Sequence, residues 1–185
     1  TFKPDIIINC AAMTNVDDCE KYRDRAQRIN VDGLKNIIKF SNKNTKIVHI
    51  STDYIYSAST SNADVTDVPV HNRTWYGYTK LLGDAHVQLK SDNYLIIRCG
   101  HKNKPFIYDK AFEDVIGNFD YVDKIAELII KLINNDIKGT RNVGTKLKTM
   151  YELALETKSD VIKSKCENDL MPRNISMKIK KKRLI

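Results

Sequence analysis

Three short runs of this chain are apolar on both faces: Asp5-Ile6-Ile7-Ile8-Asn9, Lys46-Ile47-Val48-His49-Ile50 and Tyr94-Leu95-Ile96-Ile97-Arg98. A strand with one wet face alternates apolar and polar residues. A strand with no polar face needs cover on both sides, the condition of a parallel sheet held between two layers of helices. The intervals between the runs read as helices. After the first run, Thr14 or Asn15 is placed to cap a helix whose first turn carries Asp17, Asp18 and Glu20, where the helix dipole favours acids. Its spacing continues through Ala26, Ile29, Gly33, Ile37 and Phe40. A polar loop over residues 57–73 leads to a helix starting near Thr74, with Tyr78, Leu81, Leu82, Ala85 and Leu89 on one face. Residues 99–118 read as irregular, 122–134 as a helix, 136–139 as a turn, 141–144 as a short strand and 150–157 as a short helix. The strand–helix alternation predicts an α/β fold: a Rossmann-like parallel sheet flanked by helices.

Composition narrows the functional classes. The net charge is +8, but residues 178–185 hold five uncompensated cations, and without them the rest of the chain carries +3. That basic tail alone would suit a nucleic-acid or surface-binding module, yet no aromatic residues are interleaved with it, which argues against nucleic acid as a partner. The apolar runs are too short for a membrane span, and the first residues do not read as a secretory leader. Four scattered cysteines show no CxxC pair and no zinc-like spacing with the histidines, so no metal site is expected and a reducing, cytoplasmic setting is.

The pair Tyr76-x-x-x-Lys80 brings a phenol and an ammonium to one helix face. A nearby ammonium favours phenolate, so Lys80 is expected to draw the Tyr76 pKa toward neutrality, suiting it to proton transfer. Ser51-Thr52-Asp53 directly follows the second strand, at the carboxyl end where open α/β sheets place ligands.

Four motifs in order carry a resemblance: Asn9-Cys10-Ala11-Ala12-Met13-Thr14-Asn15-Val16-Asp17, Asn30-Val31-Asp32-Gly33, Val48-His49-Ile50-Ser51-Thr52-Asp53-Tyr54, and Tyr76-Gly77-Tyr78-Thr79-Lys80-Leu81-Leu82-Gly83-Asp84. The chain resembles the extended short-chain dehydrogenase/reductases, and within them the RmlD-like dTDP-4-dehydrorhamnose reductase branch. The likeness is strong over residues 3–98 and weaker at Gly139–Gly144, 150–154 and 172–177. It implies a Rossmann-like core over residues 1–98 and a substrate-binding lobe over 99–185, with the basic tail at 178–185. It also implies an NADPH- or NADH-dependent reductase of a nucleotide-activated 4-keto-6-deoxysugar. In that reading Tyr76 donates the proton, Lys80 holds the nicotinamide ribose, and Thr52 polarises the ketone. Asp53 and His101 contact the sugar, and Ala12, Met13 and Thr14 line the cofactor. The same branch includes a non-catalytic NADP-binding regulatory subunit.

Two departures stand out. The branch opens with a glycine-rich turn that seats the pyrophosphate on a helix N-terminus. No such run occurs here, and the chain has only 7 glycines. Residues Asp5 to Asn9 are therefore expected at a bare sheet edge, blunted only by Pro4 and Asp5. That edge would be covered by a dinucleotide-binding half in the same polypeptide or in a second chain, and the helices around Asn30 and Lys80 are the expected face of a homodimer. Secondly, His101 stands where the branch carries a substrate-contacting tryptophan, and the stretch to Asn118 is shortened.

Overall fold

The computed structural model describes residues 3–57, 61–67 and 72–180. Strands β1 (Ile6–Asn9), β2 (Lys46–Ile50) and β3 (Tyr94–Arg98) form at the three apolar runs. Between β1 and β2, one predicted helix is resolved into three: α1 (Val16–Lys21), α2 (Arg23–Gln27) and α3 (Gly33–Phe40). Tyr22 breaks the first junction, and a π-helical turn over Arg28–Asp32 joins α2 to α3. Asn15, not Thr14, caps α1, its side chain accepting from the Asp18 N–H at 2.9 Å. Helix α4 (Trp75–Lys90) follows, capped by Thr74.

Beyond β3 the segment expected to be irregular holds the short strands β4 (His101–Lys102), β5 (Lys110–Phe112) and β6 (Ile116–Gly117). Then come β7 (Asp120–Tyr121), α5 (Val122–Asn134), β8 (Gly139–Asn142), β9 (Lys148–Thr149), α6 (Met150–Leu155), β10 (Ile162–Ser164) and β11 (Asn174–Ile175). Strands of two or three residues carry too little periodicity to be read from sequence. The turn before β8 uses Asp136 at φ 47° and Gly139 at φ 81°, the latter a conformation that suits a residue without Cβ.

The main sheet is parallel, in the order β1-β2-β3-β8. Alternate residues point to its two layers. Ile47 and Ile96 pack with Leu34 of α3 and Val87 of α4. Val48, Leu95 and Ile97 pack with Ile125 and Ile129 of α5. At roughly 1.5–3 kcal/mol for each large aliphatic side chain taken out of water, these two clusters are the main force holding the layers. No residue of β1 joins the α5 cluster, so Ile6 and Ile8 are 41% and 45% exposed: cover on both faces, expected for this run, stops one strand short. Among the described residues β1 pairs with β2 alone.

The sheet's fourth strand and one of its covering helices come from beyond residue 98, so a division there follows the chain rather than the layers. The smaller lobe is built from β5–β10, from β9–β6–β11 and from the short β4–β7 pair, around Phe119, Tyr121, Met150, Leu153 and Ile175. Its helix α6 starts on a capping box: Thr149 Oγ1 accepts from the Glu152 N–H at 3.1 Å, and the Glu152 carboxylate accepts from the Thr149 N–H at 2.7 Å. Thr149→Ala is expected to cost about 1 kcal/mol, read as a lower urea midpoint with the slope unchanged.

Of the basic tail, Lys178 and Lys180 lie 3.3 and 3.7 Å from Asp64, whereas Lys181, Lys182 and Arg183 lie outside the described residues. Among the described residues, no helix is long and apolar enough to cross a membrane.

Candidate active site

The carboxyl end of β2 and the amino end of α4 meet. After β2 the chain turns through a 3-10 segment, Asp53–Tyr56, capped by Thr52, whose Oγ1 accepts from the Tyr54 N–H at 3.2 Å. Gly77 lets the first turn of α4 close on that segment: a Cβ there would lie 2.9 Å from the Tyr54 carbonyl oxygen and 2.9 Å from Asn72 Oδ1. Tyr76 is thereby carried beside Tyr54, ring centroids 5.7 Å apart and nearly edge-on, with its phenol close to the Thr52 side chain.

This burial corrects the expectation for Tyr76. Loss of water pushes its pKa up, while the nearby Thr52 hydroxyl pulls only part of the way back. The ammonium expected to lower it is engaged elsewhere: Lys80 Nζ donates to the Ile50 carbonyl at 2.6 Å. Burial draws Lys80 down to about 8, against the opposing pull of Asp84. The result is a phenol that keeps its proton at neutral pH, which suits a donor.

The apolar stripe assigned to α4 is also revised. Tyr78 and Leu89 are exposed, and the buried face instead carries Tyr76, Thr79, Lys80, Asp84 and Val87. A helix that buries hydroxyls and charges defeats a reading based on hydrophobic spacing.

The loop after β1 is tied to the same group. Met13 packs with Cys19, Ala26 and Tyr76. Its backbone is held at both ends by Asn30: Oδ1 accepts from the Met13 N–H at 2.7 Å, and Nδ2 donates to the Met13 carbonyl at 3.1 Å. Asn30 Nδ2 also reaches Thr79 Oγ1, 2.9 Å away on α4. The π-helical turn, often found at functional sites, carries Asn30 to this position. Its signal in the sequence was an amide on the apolar stripe formed by Ala26, Gly33 and Ile37. Ala12 and Met13 are half-buried and Thr14 is exposed, while Cys10, also exposed, lies within electrostatic range of Lys80.

Asp53 is buried behind Thr52, whose Oγ1 donates to Asp53 Oδ1 at 3.2 Å. Its Oδ2 has no hydrogen-bond partner and faces Gly100, where a Cβ would be 2.2 Å away. Burial raises the Asp53 pKa to about 6, with the Thr52 bond and the Lys102 charge opposing. An acid whose native pKa exceeds its unfolded value holds its proton more tightly when folded, so this group's contribution to stability is lost as pH rises from about 4 through 6. Asp53→Asn is expected to remove that slope. Its urea midpoint should gain on the parent between pH 4 and 7, by the equivalent of about 2 kcal/mol, and an unchanged difference across that range would contradict it.

Thus Thr52, Asp53, Tyr76 and Lys80 stand together, with Ala12, Met13 and Thr14 on the loop fastened to them. His101 is exposed on β4, next to Lys102, a residue the sequence did not single out. Two hydroxyls that both carry protons converge between Tyr76 and Thr52, and such a pair can accept the charge that grows on a carbonyl oxygen. Among the described residues, no cluster of three or more His, Cys, Asp or Glu is placed to hold a metal ion.

Residues 1–108, more than half of the chain, match the sequence model of the RmlD substrate binding domain. The chain belongs to this RmlD family. It is 31% identical over 150 residues to the spore coat polysaccharide biosynthesis protein SpsK of Bacillus subtilis, covering 72% of this chain and 53% of that one. It is 29% identical over 156 residues to dTDP-4-dehydrorhamnose reductase of Aggregatibacter actinomycetemcomitans, covering 75% and 53%. The RmlD-family chain thus spans about half the length of these relatives. Its fold is similar to that of the Bacillus anthracis dTDP-4-dehydrorhamnose reductase solved in complex with NADP: TM-score 0.81 at 28% identity, over 95% of this chain and 71% of that one.

Proposed function

We propose that this chain is the catalytic and sugar-binding portion of an NAD(P)H-dependent reductase acting on a nucleotide-activated 4-keto-6-deoxysugar. The observation that carries the reading is the close approach of the Thr52 hydroxyl to the Tyr76 phenol, with Lys80 one turn further along the same helix. A dinucleotide held there would supply hydride to the ketone carbon. Tyr76 then gives its phenolic proton to the carbonyl oxygen, and Thr52 donates a second hydrogen bond that holds the oxygen while negative charge develops. Lys80, anchored on the Ile50 carbonyl, would hold the nicotinamide ribose, and the loop at Ala12, Met13 and Thr14 would line the ring. Asn30 positions that loop without touching the reacting atoms.

The residues present fit the nicotinamide end of a dinucleotide: an exposed loop at the carboxyl end of β1, with Lys80 in electrostatic range behind it. The glycine-rich turn for the pyrophosphate is not among the 185 residues. The half-exposed Ile6 and Ile8 mark the edge against which that half would pair, in the same polypeptide or in a second one. Four free cysteines, with Cys10 exposed, fit a reducing cytoplasm.

The test, made with the glycine-rich half supplied in the same polypeptide or by a second one, is consumption of NADPH at 340 nm with dTDP-4-dehydrorhamnose, beside a melting curve with NADPH. A ligand at a hundred times its Kd stabilises by about 2.7 kcal/mol, or about 5–10 °C for a domain of this size. Turnover together with that shift is the expected result. A melting shift without turnover would assign the chain to cofactor binding alone, as in the non-catalytic regulatory subunit. Absence of both turnover and the melting shift would overturn the proposal.

A further inference from the structure

On the lobe side of the site, a cavity of about 160 Å³ opens between β4 and the chain that follows it. It is lined by His101, Lys102, Asn103, Phe106, Ile107 and Tyr108. Four of these offer polar hydrogens: an ammonium, an imidazole, a carboxamide and a phenol. The other two are apolar, and no acidic side chain lines the space. A volume equal to about five waters' share of the liquid accommodates one carboxylate or phosphate group. Lys102 on its wall lies within electrostatic range of Asp53, and Gly100, which abuts Asp53, directly precedes His101 in the chain.

We propose that this cavity is an anion subsite for the sugar-nucleotide substrate, in which Lys102, assisted by His101, holds a negatively charged group of that substrate. The proposal rests on the sugar-nucleotide reading of the site above and sharpens its substrate class. Lys102 is mostly withdrawn from water, and the charge that supports its ammonium is Asp53, a carboxyl that burial itself biases toward its neutral form. An anion in the cavity would supply the counter-charge Asp53 gives only in part. His101 is held below its usual pKa by partial loss of water around the ring and by the Lys102 charge, so at neutral pH it donates through one ring N–H rather than adding a second cation.

Two sources of anion share this chemistry: an acidic substituent on the sugar, and the diphosphate bridge of the nucleotide. Calorimetric titration of the whole chain at pH 7.5 with UDP-glucuronate, UDP-glucose and UDP separates them. A charged hydrogen bond of this kind corresponds to a tenfold or larger change in affinity. If the sugar carries the anion, the parent should prefer UDP-glucuronate to UDP-glucose about tenfold. Lys102→Met should erase that preference and Lys102→Arg should keep it. If the diphosphate is the anion, Lys102→Met should weaken all three ligands, UDP included, by the same factor. A urea midpoint for each variant shows that the fold survives. No effect of Lys102→Met on any of the three, or no binding of any of them, would overturn the subsite. Failure of NADPH turnover would leave these affinities readable, so the two proposals fail separately.

Discussion

Replacing Tyr76 by phenylalanine is expected to cut NADPH-dependent turnover of a 4-keto sugar nucleotide by about 10²–10⁴-fold, the usual worth of a positioned general acid. The fold and the NADPH-induced melting shift should persist, because phenylalanine keeps the ring against Tyr54, Cys19 and Ala26 and removes only the hydroxyl. Thr52 loses one neighbour but retains its bonds to Asp53 and to the Tyr54 N–H. The effect should fall on kcat more than on KM, since the proton is needed only as the oxygen becomes negative. Burial, which keeps Tyr76 protonated well above neutrality, also predicts no fall in the parent's rate from ionisation of this group at pH 7–8. Activity within threefold of the parent would place the proton donor elsewhere.

The second large effect belongs to stability. Asp84→Ala is expected to lose about 3–5 kcal/mol, because it strands a charge in the interior. Arg98 is 2% exposed, and its Nε donates to Asp84 Oδ2 at 3.0 Å. Its Nη1 donates to the Tyr56 hydroxyl at 2.9 Å and to the Val65 carbonyl at 3.0 Å, and Tyr56 passes the chain of bonds on to Asn142 at 2.8 Å. Those neutral acceptors do not replace a carboxylate. With a urea slope of about 2 kcal/mol/M, the midpoint should drop by about 2 M. The double variant Asp84→Leu with Arg98→Met removes both charges and should recover much of the loss, so the two single effects should not add. A loss below about 1 kcal/mol in Asp84→Ala would mean that water or a rotated Arg98 relieves the charge.

Much of the main sheet was legible because burial on both faces leaves a mark of its own: three apolar runs gave β2 and β3 as expected, and β1 in place though not in cover. The site residues were legible as motifs at a strand end and a helix start, and Thr52, Asp53, Tyr76 and Lys80 do converge. What could not be read was which atom answers which. The i, i+4 spacing of Tyr76 and Lys80 suggested a phenol–ammonium pair, yet the ammonium found the Ile50 carbonyl and the phenol found Thr52. The polar buried face of α4 and the stretch from β4 to β6 escaped for a related reason. Their partners are distant in sequence, so their local spacing carries no period.

The sequence by itself determined the strand–helix alternation, the family resemblance and the four residues at the head of the site, all properties of short stretches whose chemistry or periodicity is local. The tertiary structure alone decided the protonation of Tyr76, the clamp of Asn30 on Met13, the unpaired oxygen of Asp53 facing Gly100 and the donor-lined cavity next to β4. Those depend on desolvation and on contacts between residues far apart in the chain. A phenol, a carboxyl and an ammonium take their character from the water they lose and the neighbours they gain on folding.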